Sequence, residues 1–310
     1  MNGSGKRITA ATFLFCSLMA RAQLTYTGPD YADAFLATGS PGNPVGPDLT
    51  GLNFGAAGTL AVAPASSPNG EFESILKFNF TNALGLFNTT YGTNGWSITG
   101  MSLQLTSNDG TAGEQPDNAL FNVISGGQFV IEWLATNGWV EGTGKPKQPT
   151  TDGVTYDSLP ALLAGPHEIL GTNTYTPPGD NVPVTYPLPL NTNLLNEIAN
   201  GADATLLVYA ADNQIGYLFN SWNFGNGNQP MIHVTANAFL KILSGHFTNG
   251  VFHLTGAGGA NFPYQVQAAT SLTTTNWQTL GTVMADGTGR VQFGDTTVSN
   301  QPQRFYRLSR

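Results

Sequence analysis

Charge and cysteine are what this sequence has least of. Of its 310 residues only 10% are charged, and Cys16 is the single cysteine. Cys16 falls in a leader, described next, that is expected to be removed. The remaining chain is then expected to hold no disulfide, thiolate metal site or cysteine nucleophile. Bases are scarcer than acids, 11 Lys and Arg against 19 Asp and Glu. A chain with that balance lacks the basic footprint that nucleic acid or an anionic lipid surface requires. Catalytic motifs are missing as well. There is no Gly-x-Ser-x-Gly elbow, and His167-Glu168 begins a zinc-type H-E-x-x-H match that fails at Gly171.

Residues 1–22 read as a signal peptide. Lys6 and Arg7 precede an apolar run from Ile8 to Met19, and Ala20-Arg21-Ala22 is a small-x-small site with cleavage before Gln23. The run, about a dozen residues, is too short for a bilayer span. Phe15 before Cys16 argues against a lipoprotein signal. Cleavage removes three bases and no acid, taking the formal charge from −8 to −11. The expected location is secreted or extracellular, with no membrane insertion of the mature chain.

What is abundant is turn formers, with 38 Gly and 19 Pro, together with β-branched and aromatic residues. Strands are predicted at 32–38, 58–63, 71–80 and 96–108, where apolar residues alternate or run between Gly and Pro. Leu84 to Asn94 reads as a connection. The polar loop at 108–118 carries Asp109, Glu114 and Asp117, oxygen ligands of the kind that hold a structural Ca²⁺, or a merely solvated loop.

The stretch Phe129–Gly144, FVIEWLATNGWVEGTG, is the most distinctive. Phe129, Ile131 and Trp133 alternate with Val130, Glu132 and Leu134, which puts Trp133 on a core face. The chain turns at Asn137-Gly138 and continues through Trp139, Glu141 and Gly-Thr-Gly. A long segment with several prolines follows and is expected to wrap the surface with short strands. Leu190 to Gly201 is the one convincing helix, with Leu190, Leu194, Leu195 and Ile198 on one face, Asn191 or Asn193 as cap and Gly201 at its end. Three more strands close this part. Six short segments from Ala238 to Arg310, separated by Gly, Asn and Asp, then predict a second small sandwich.

These blocks carry two resemblances. ADAFLAT, ESILKFNF, SITGMSLQLTSN, the W-V-E-G-T-G turn with PTTDGVTY, and YLFNSWNFG…QPMIHVTA, in that order, resemble the secreted jelly-roll modules of the disaggregatase-related (DNRLRE-type) carbohydrate-binding family, over roughly Tyr26 to Ala236. The Pro/Gly-rich loop near the start departs from that pattern. The tail from Tyr264 is similar to a fibronectin-type-III-like module of secreted proteins in Verrucomicrobia-like and related bacteria. The resemblances imply a secreted, non-catalytic or accessory bacterial protein with affinity for glycans, and a structural Ca²⁺ whose ligands they do not assign.

The expected fold is therefore all-β: a jelly-roll β-sandwich at 23–236, then a small fibronectin/immunoglobulin-like β-sandwich at 238–310. Sugars stack their C–H faces on aromatic rings and hydrogen-bond through their hydroxyls. Trp139, Glu141, Trp222 and Tyr217 are the candidate carbohydrate-binding residues, with Trp96 of the same chemistry. Burial in the core is the competing position for all the aromatics. No catalytic residue is assigned, although Glu132 and Glu141 form a formal carboxylate pair for glycoside chemistry. The alternatives are an adhesin or matrix spacer without a small ligand and, more remotely, a glycan-active hydrolase or lyase.

Overall fold

The computed structural model describes residues 23–40, 46–93, 95–108, 124–225, 227–273, 276–298 and 303–309. The leader and the Asp109/Glu114/Asp117 loop lie outside them. With 50% strand and 12% helix, the protein is all-β. The chain divides into two compact units. One takes Thr25–Leu84 and Gly100–Thr235, and the other takes Gly85–Thr99 with Ala236–Arg310.

The larger unit is built on an eight-stranded sheet. Its strands are β1 (Gln23–Ala37), β3 (Phe72–Asn79), β4 (Trp96–Thr106), β5 (Gly127–Leu134), β6 (His167–Tyr175), β7 (Pro183–Leu188), β8 (Asp203–Ala210) and β10 (Met231–Ala238). They run β6-β5-β8-β3-β1-β10-β4-β7, and the sheet curls into a nearly closed sandwich. A two-stranded ribbon of β2 (Thr59–Val62) and β9 (Tyr217–Asn220), buried throughout, accompanies it.

β1 shows why the sandwich needs two covers. Its first half alternates between exposed and part-buried side chains, and from Ala32 onward both faces are buried. One face carries Phe35, stacked on Phe54 at 4.5 Å. The other carries Ala32, Ala34 and Leu36, which pack with Ile75, Leu134 and Leu207 under Trp139, Val154, Leu159 and Leu162. The second cover is therefore the chain that follows the Asn-Gly turn. Each fully buried apolar side chain of such a layer stabilises by about 1.5–3 kcal/mol.

Asn53 ties that cover down. Its side chain, fully buried, donates to the carbonyls of Glu141 (2.6 Å) and Val154 (2.8 Å) and accepts from the N–H groups of Gly55 and Gly144. The glycines of W-V-E-G-T-G exist for this contact. Gly142 is left-handed (φ 85°), and a Cβ there would lie 2.3 Å from Asn53 Oδ1. A Cβ on Gly144 would lie 1.8 Å from the Asn53 carbonyl.

Two helical expectations meet different outcomes. Helix α3 (Thr192–Asn200) forms as read, capped by Asn191, whose Oδ1 accepts from the N–H groups of Asn193 and Leu194, and ended by left-handed Gly201. Leu194 and Ile198 are its buried residues, whereas Leu190 precedes the helix and is exposed. Leu84 to Asn94 is not a connection: α1 covers Thr81–Tyr91. Its start is fixed by Asn79 Oδ1, which accepts from Thr81 N–H at 3.0 Å, and Ala83, Phe87 and Tyr91 are buried at helical spacing. The long segment after Gly144 contains a short helix, α2 (Leu159–Leu162), and then β6.

The second unit holds two three-stranded antiparallel sheets. One is β11 (Lys241–Thr248), β12 (Val251–Ala257) and β15 (Arg290–Asp295); the other is β14 (Gln278–Met284), β13 (Pro263–Ala269) and β16 (Phe305–Ser309). Phe252, Leu254 and Val291 from the first meet Tyr264, Val266, Tyr306 and Leu308 from the second in one core, as in a sandwich. The Gly85–Thr99 segment belongs to this unit: Tyr91 C=O accepts from Ala260 N–H at 2.7 Å, and Gly95 C=O from Phe239 N–H at 2.8 Å.

Candidate functional site

The candidate residues separate into buried and exposed. Trp133, on the face with Phe129 and Ile131, is 5% exposed, and its Nε1–H donates to Glu197 at 2.8 Å. Tyr217 is fully buried. It stacks on Tyr175 at 3.7 Å and contacts Phe129, Tyr186 and Phe219. It is a core residue with no face for a ligand.

Trp139 is 8% exposed. The Asn-Gly turn brings it back over the sheet, where Asn137 Nδ2 donates to Asp203 C=O and Asn137 Oδ1 accepts from Thr205. Thr205 Oγ1 in turn accepts from Trp139 Nε1–H at 3.0 Å. The Lys77 ammonium stands 4.2 Å from the indole centroid and donates to the Trp139 carbonyl at 2.6 Å. The expectation that Trp139 stands open to a ligand is thus corrected: one ring face is taken by the cation and most of the rest by the core. Trp139 itself lines an open depression of about 590 Å³, together with Thr136, Val140, Asp152, Val154 and Ala161 among others.

Trp222 is the exposed member, at 43%. It lies on a 3₁₀ turn, Trp222–Phe224, with Ser221 as N-cap and left-handed Gly225 as C-cap. Ser221 fixes the turn by accepting from Asn223 N–H and donating to Ala57 C=O. Trp222 N–H donates to Asp33 Oδ2 at 2.6 Å. Next to it, Asn223 Nδ2 donates to Glu141 Oε1 at 2.8 Å and to Gly55 C=O at 3.1 Å. Two residues 81 positions apart in sequence, Glu141 and Trp222, are brought to one locus by Asn223 and by buried Asp33.

Three carboxylates shape the electrostatics there. Desolvation pushes Asp33 up to about 7, against the pull of its hydrogen bonds. Burial raises Asp30 well above the usual carboxylate range, helped by the Asp33 charge, by a side-chain hydrogen bond between the two carboxyls and by the Glu141 charge. Glu141, half-buried, is raised by desolvation, while its bonds from Asp33 N–H and Asn223 and the Lys77 charge oppose this. Glu132 belongs elsewhere: its Oε1 contacts His167 Nδ1 at 2.5 Å. Glu132 and Glu141 therefore have separate partners. Trp96 meets Phe87 at 5.1 Å and donates to Asn88. Among the described residues, no three His, Cys, Asp or Glu side chains converge as a ready metal centre, and no helix is long and apolar enough to cross a membrane.

Asp30, Asp33 and Asn53 were absent from the sequence-derived candidates. Two acids, at i and i+3 in a strand that turns wholly apolar, are a signal that burial reverses their usual placement.

No protein-family model matches this chain, and no curated protein matches it. Among solved structures it is similar to a β-glucuronidase of Ruminococcus gnavus, at 8% identity and a TM-score of 0.19, over 92% of this chain and 41% of that one. It is also similar to the Macrobrachium rosenbergii nodavirus, at 10% identity and a TM-score of 0.23, over 99% of this chain and 96% of that one. The chain thus spans about 41% of the length of the glucuronidase. Likenesses this slight decide neither fold nor function.

Proposed function

We propose that this is a secreted, non-catalytic protein that binds extracellular or cell-surface carbohydrate through the locus around Trp222. The observation that carries this reading is an indole 43% exposed, held on a braced turn beside the Asn223 amide and the Glu141 carboxylate. An aromatic face with adjacent polar groups is the chemistry a pyranose ring requires. A rigid aromatic also loses little side-chain entropy on binding, so its contact area is retained as affinity. The resemblance of the larger unit to carbohydrate-binding jelly-roll modules supports the same ligand class. Trp139 and Tyr217 enter this reading as structural supports.

Replacing Trp222 by alanine is expected to weaken polysaccharide binding by at least tenfold, about 1.4 kcal/mol, while leaving the melting temperature within a few degrees. A glycan array followed by calorimetry on the best ligand checks both. Binding to no glycan by the unsubstituted protein would instead favour an adhesin or spacer. Binding that survives Trp222→Ala undiminished would remove this locus from the reading.

A further inference from the structure

The two parts of the chain carry opposite charge. Residues 23–235 hold three lysines against seventeen Asp and Glu, whereas residues 236–310 hold five Lys and Arg against two acids. Both of those acids are engaged. Asp295 is buried, paired with Arg304 at 2.7 Å and accepting from the Tyr306 hydroxyl at 2.8 Å. Asp286 feels the Arg290 charge, but its Oδ1 is spent on Thr288 and on the main-chain N–H of Arg290.

The remaining bases gather on the outward face of the β11–β12–β15 sheet. His246 and His253 stand directly opposite one another, their rings stacked at 5.1 Å. Two residues further along are Thr255 and Gln292, and in the next row Lys241 and Arg290 flank Ala257. Both histidines, Lys241 and Arg290 are exposed. Among the described residues, none of the four has a carboxylate within ion-pair reach. A depression of about 330 Å³ opens here, lined by His246, His253, Thr255, Arg290, Gln292 and Gly294 among others. Gly294, opposite His253, adds no side chain to it. Arg290 is oriented in advance by the Gln292 amide, whose oxygen, in the orientation that satisfies both groups, accepts from Nε and Nη2 at 3.2 Å.

We infer that this face of the second unit binds the acid groups, carboxylate or sulfate, of an anionic polysaccharide. Guanidinium and ammonium groups only donate, and an imidazole offers an N–H in either protonation state. A partner rich in negatively charged acceptors therefore complements the face. Arg290 takes an acid group through charge-assisted hydrogen bonds, the histidines donate beside it, and Thr255 and Gln292 meet hydroxyls of the sugar. The larger unit, so acidic, repels such a polymer, and recognition of its charge falls to the second unit. The inference rests on the glycan reading above for its ligand class, and extends it to the charge of the polymer and to a second locus.

The test measures binding of the full chain to polygalacturonate, dextran sulfate and uncharged dextran at low and at high NaCl. Binding to at least one acidic polymer, weakened by salt, is expected, and which of the two binds names the acid group. Arg290→Gln is expected to weaken that binding about three- to fivefold, the range of an exposed charge contact. Adding His253→Gln should take the loss to about tenfold or more. Lys147→Gln, which removes an exposed base from the larger unit, should change nothing. Binding to neither acidic polymer, or equal binding to uncharged dextran, overturns the inference. An equal loss in Lys147→Gln overturns it too, since net charge alone then decides. These variants leave an uncharged glycan's affinity unchanged whereas Trp222→Ala lowers it, so the two loci fail separately. Sedimentation without polymer checks the rival occupant: salt-sensitive self-association lost in Arg290→Gln would assign the face to the acidic unit of a second copy and overturn the inference.

Discussion

Trp139→Ala is expected to destabilise the larger unit by about 3–5 kcal/mol, as large-to-small changes of buried aromatics do. Three losses add up in this variant. The indole leaves a void among Ala32, Leu134, Val154 and Leu162. Thr205 loses the N–H that it accepts. Lys77 loses the ring 4.2 Å from its ammonium, so a cation that is 6% exposed keeps its bond to the main-chain carbonyl and the more distant Tyr31 ring at 5.9 Å. A urea titration reads the effect as a lower midpoint at an unchanged slope. Trp222→Ala, on the same sheet system, should leave that midpoint nearly fixed. The pair of variants separates a tryptophan that holds the fold from one that is offered to a ligand. A midpoint for Trp139→Ala within about 0.5 kcal/mol of the unsubstituted protein, the range of ordinary surface changes, would contradict its place in the core.

The second large effect is in pH. Stability is expected to fall by about 2–4 kcal/mol between pH 5 and pH 8. The sign follows from the buried acids. Burial holds Asp33 up to about 7, and burial with the nearby Glu71 and Glu132 charges holds Glu73 up to about 8. Both are ordinary carboxylates near 4 in the unfolded chain. Between those values the folded state binds more protons, so it gains stability at low pH and loses it as the pH rises through 7 and 8. Asp152, by contrast, is held down to about 2 by Thr150 and Thr143, and Asp286 is lowered by Thr288 and Arg290. Their contribution is lost in acid, below pH 4. The stability maximum is therefore expected near pH 4–5, and thermal melts across the range check it. A flat profile would mean that Asp33 and Glu73 ionise in the folded state without cost.

Much of the fold was legible because it rests on patterns of period two. The alternation of Phe129, Ile131 and Trp133 placed Trp133 in the core, although a strand with one buried face was expected and Val130, Glu132 and Leu134 are buried as well; all six short segments of the second unit form strands. Helix α3 was visible through its cap and its terminal glycine. Helix α1 was not, because Thr81–Tyr91 is rich in Asn and Thr and carries Gly85, so its propensity is poor. Only the spacing of Ala83, Phe87 and Tyr91 marks it. The site was harder. Tyr217, Leu218 and Phe219 make an unbroken apolar run, the mark of a strand buried on both faces, and that outweighs any reading of Tyr217 as a surface residue. Trp139 was misplaced because proximity to a turn suggests solvent, whereas this turn folds back as the second cover of the sheet. Nothing local in the sequence says that Asn53, some 90 residues away, will clamp it. Glu141 and Trp222 were both singled out by chemistry alone, and their meeting through Asn223 and Asp33 is information only the tertiary structure holds.

The strand order has a consequence for how the larger unit comes to be folded. β1 lies between β3 and β10, and Asp30 N–H donates to Pro230 C=O at 3.0 Å. The strand that leads this unit therefore waits for a partner made some two hundred residues later. Closing so long a loop carries an entropic cost before any contact returns it, and chains dominated by distant pairings fold over milliseconds to seconds. Until β10 arrives, one edge of β1 is bare, and an unpaired edge is an invitation to other chains. A chain cut just before Met231 should consequently form the β3–β8–β5 region poorly protected and aggregate, while the full chain refolds slowly but to completion at low concentration.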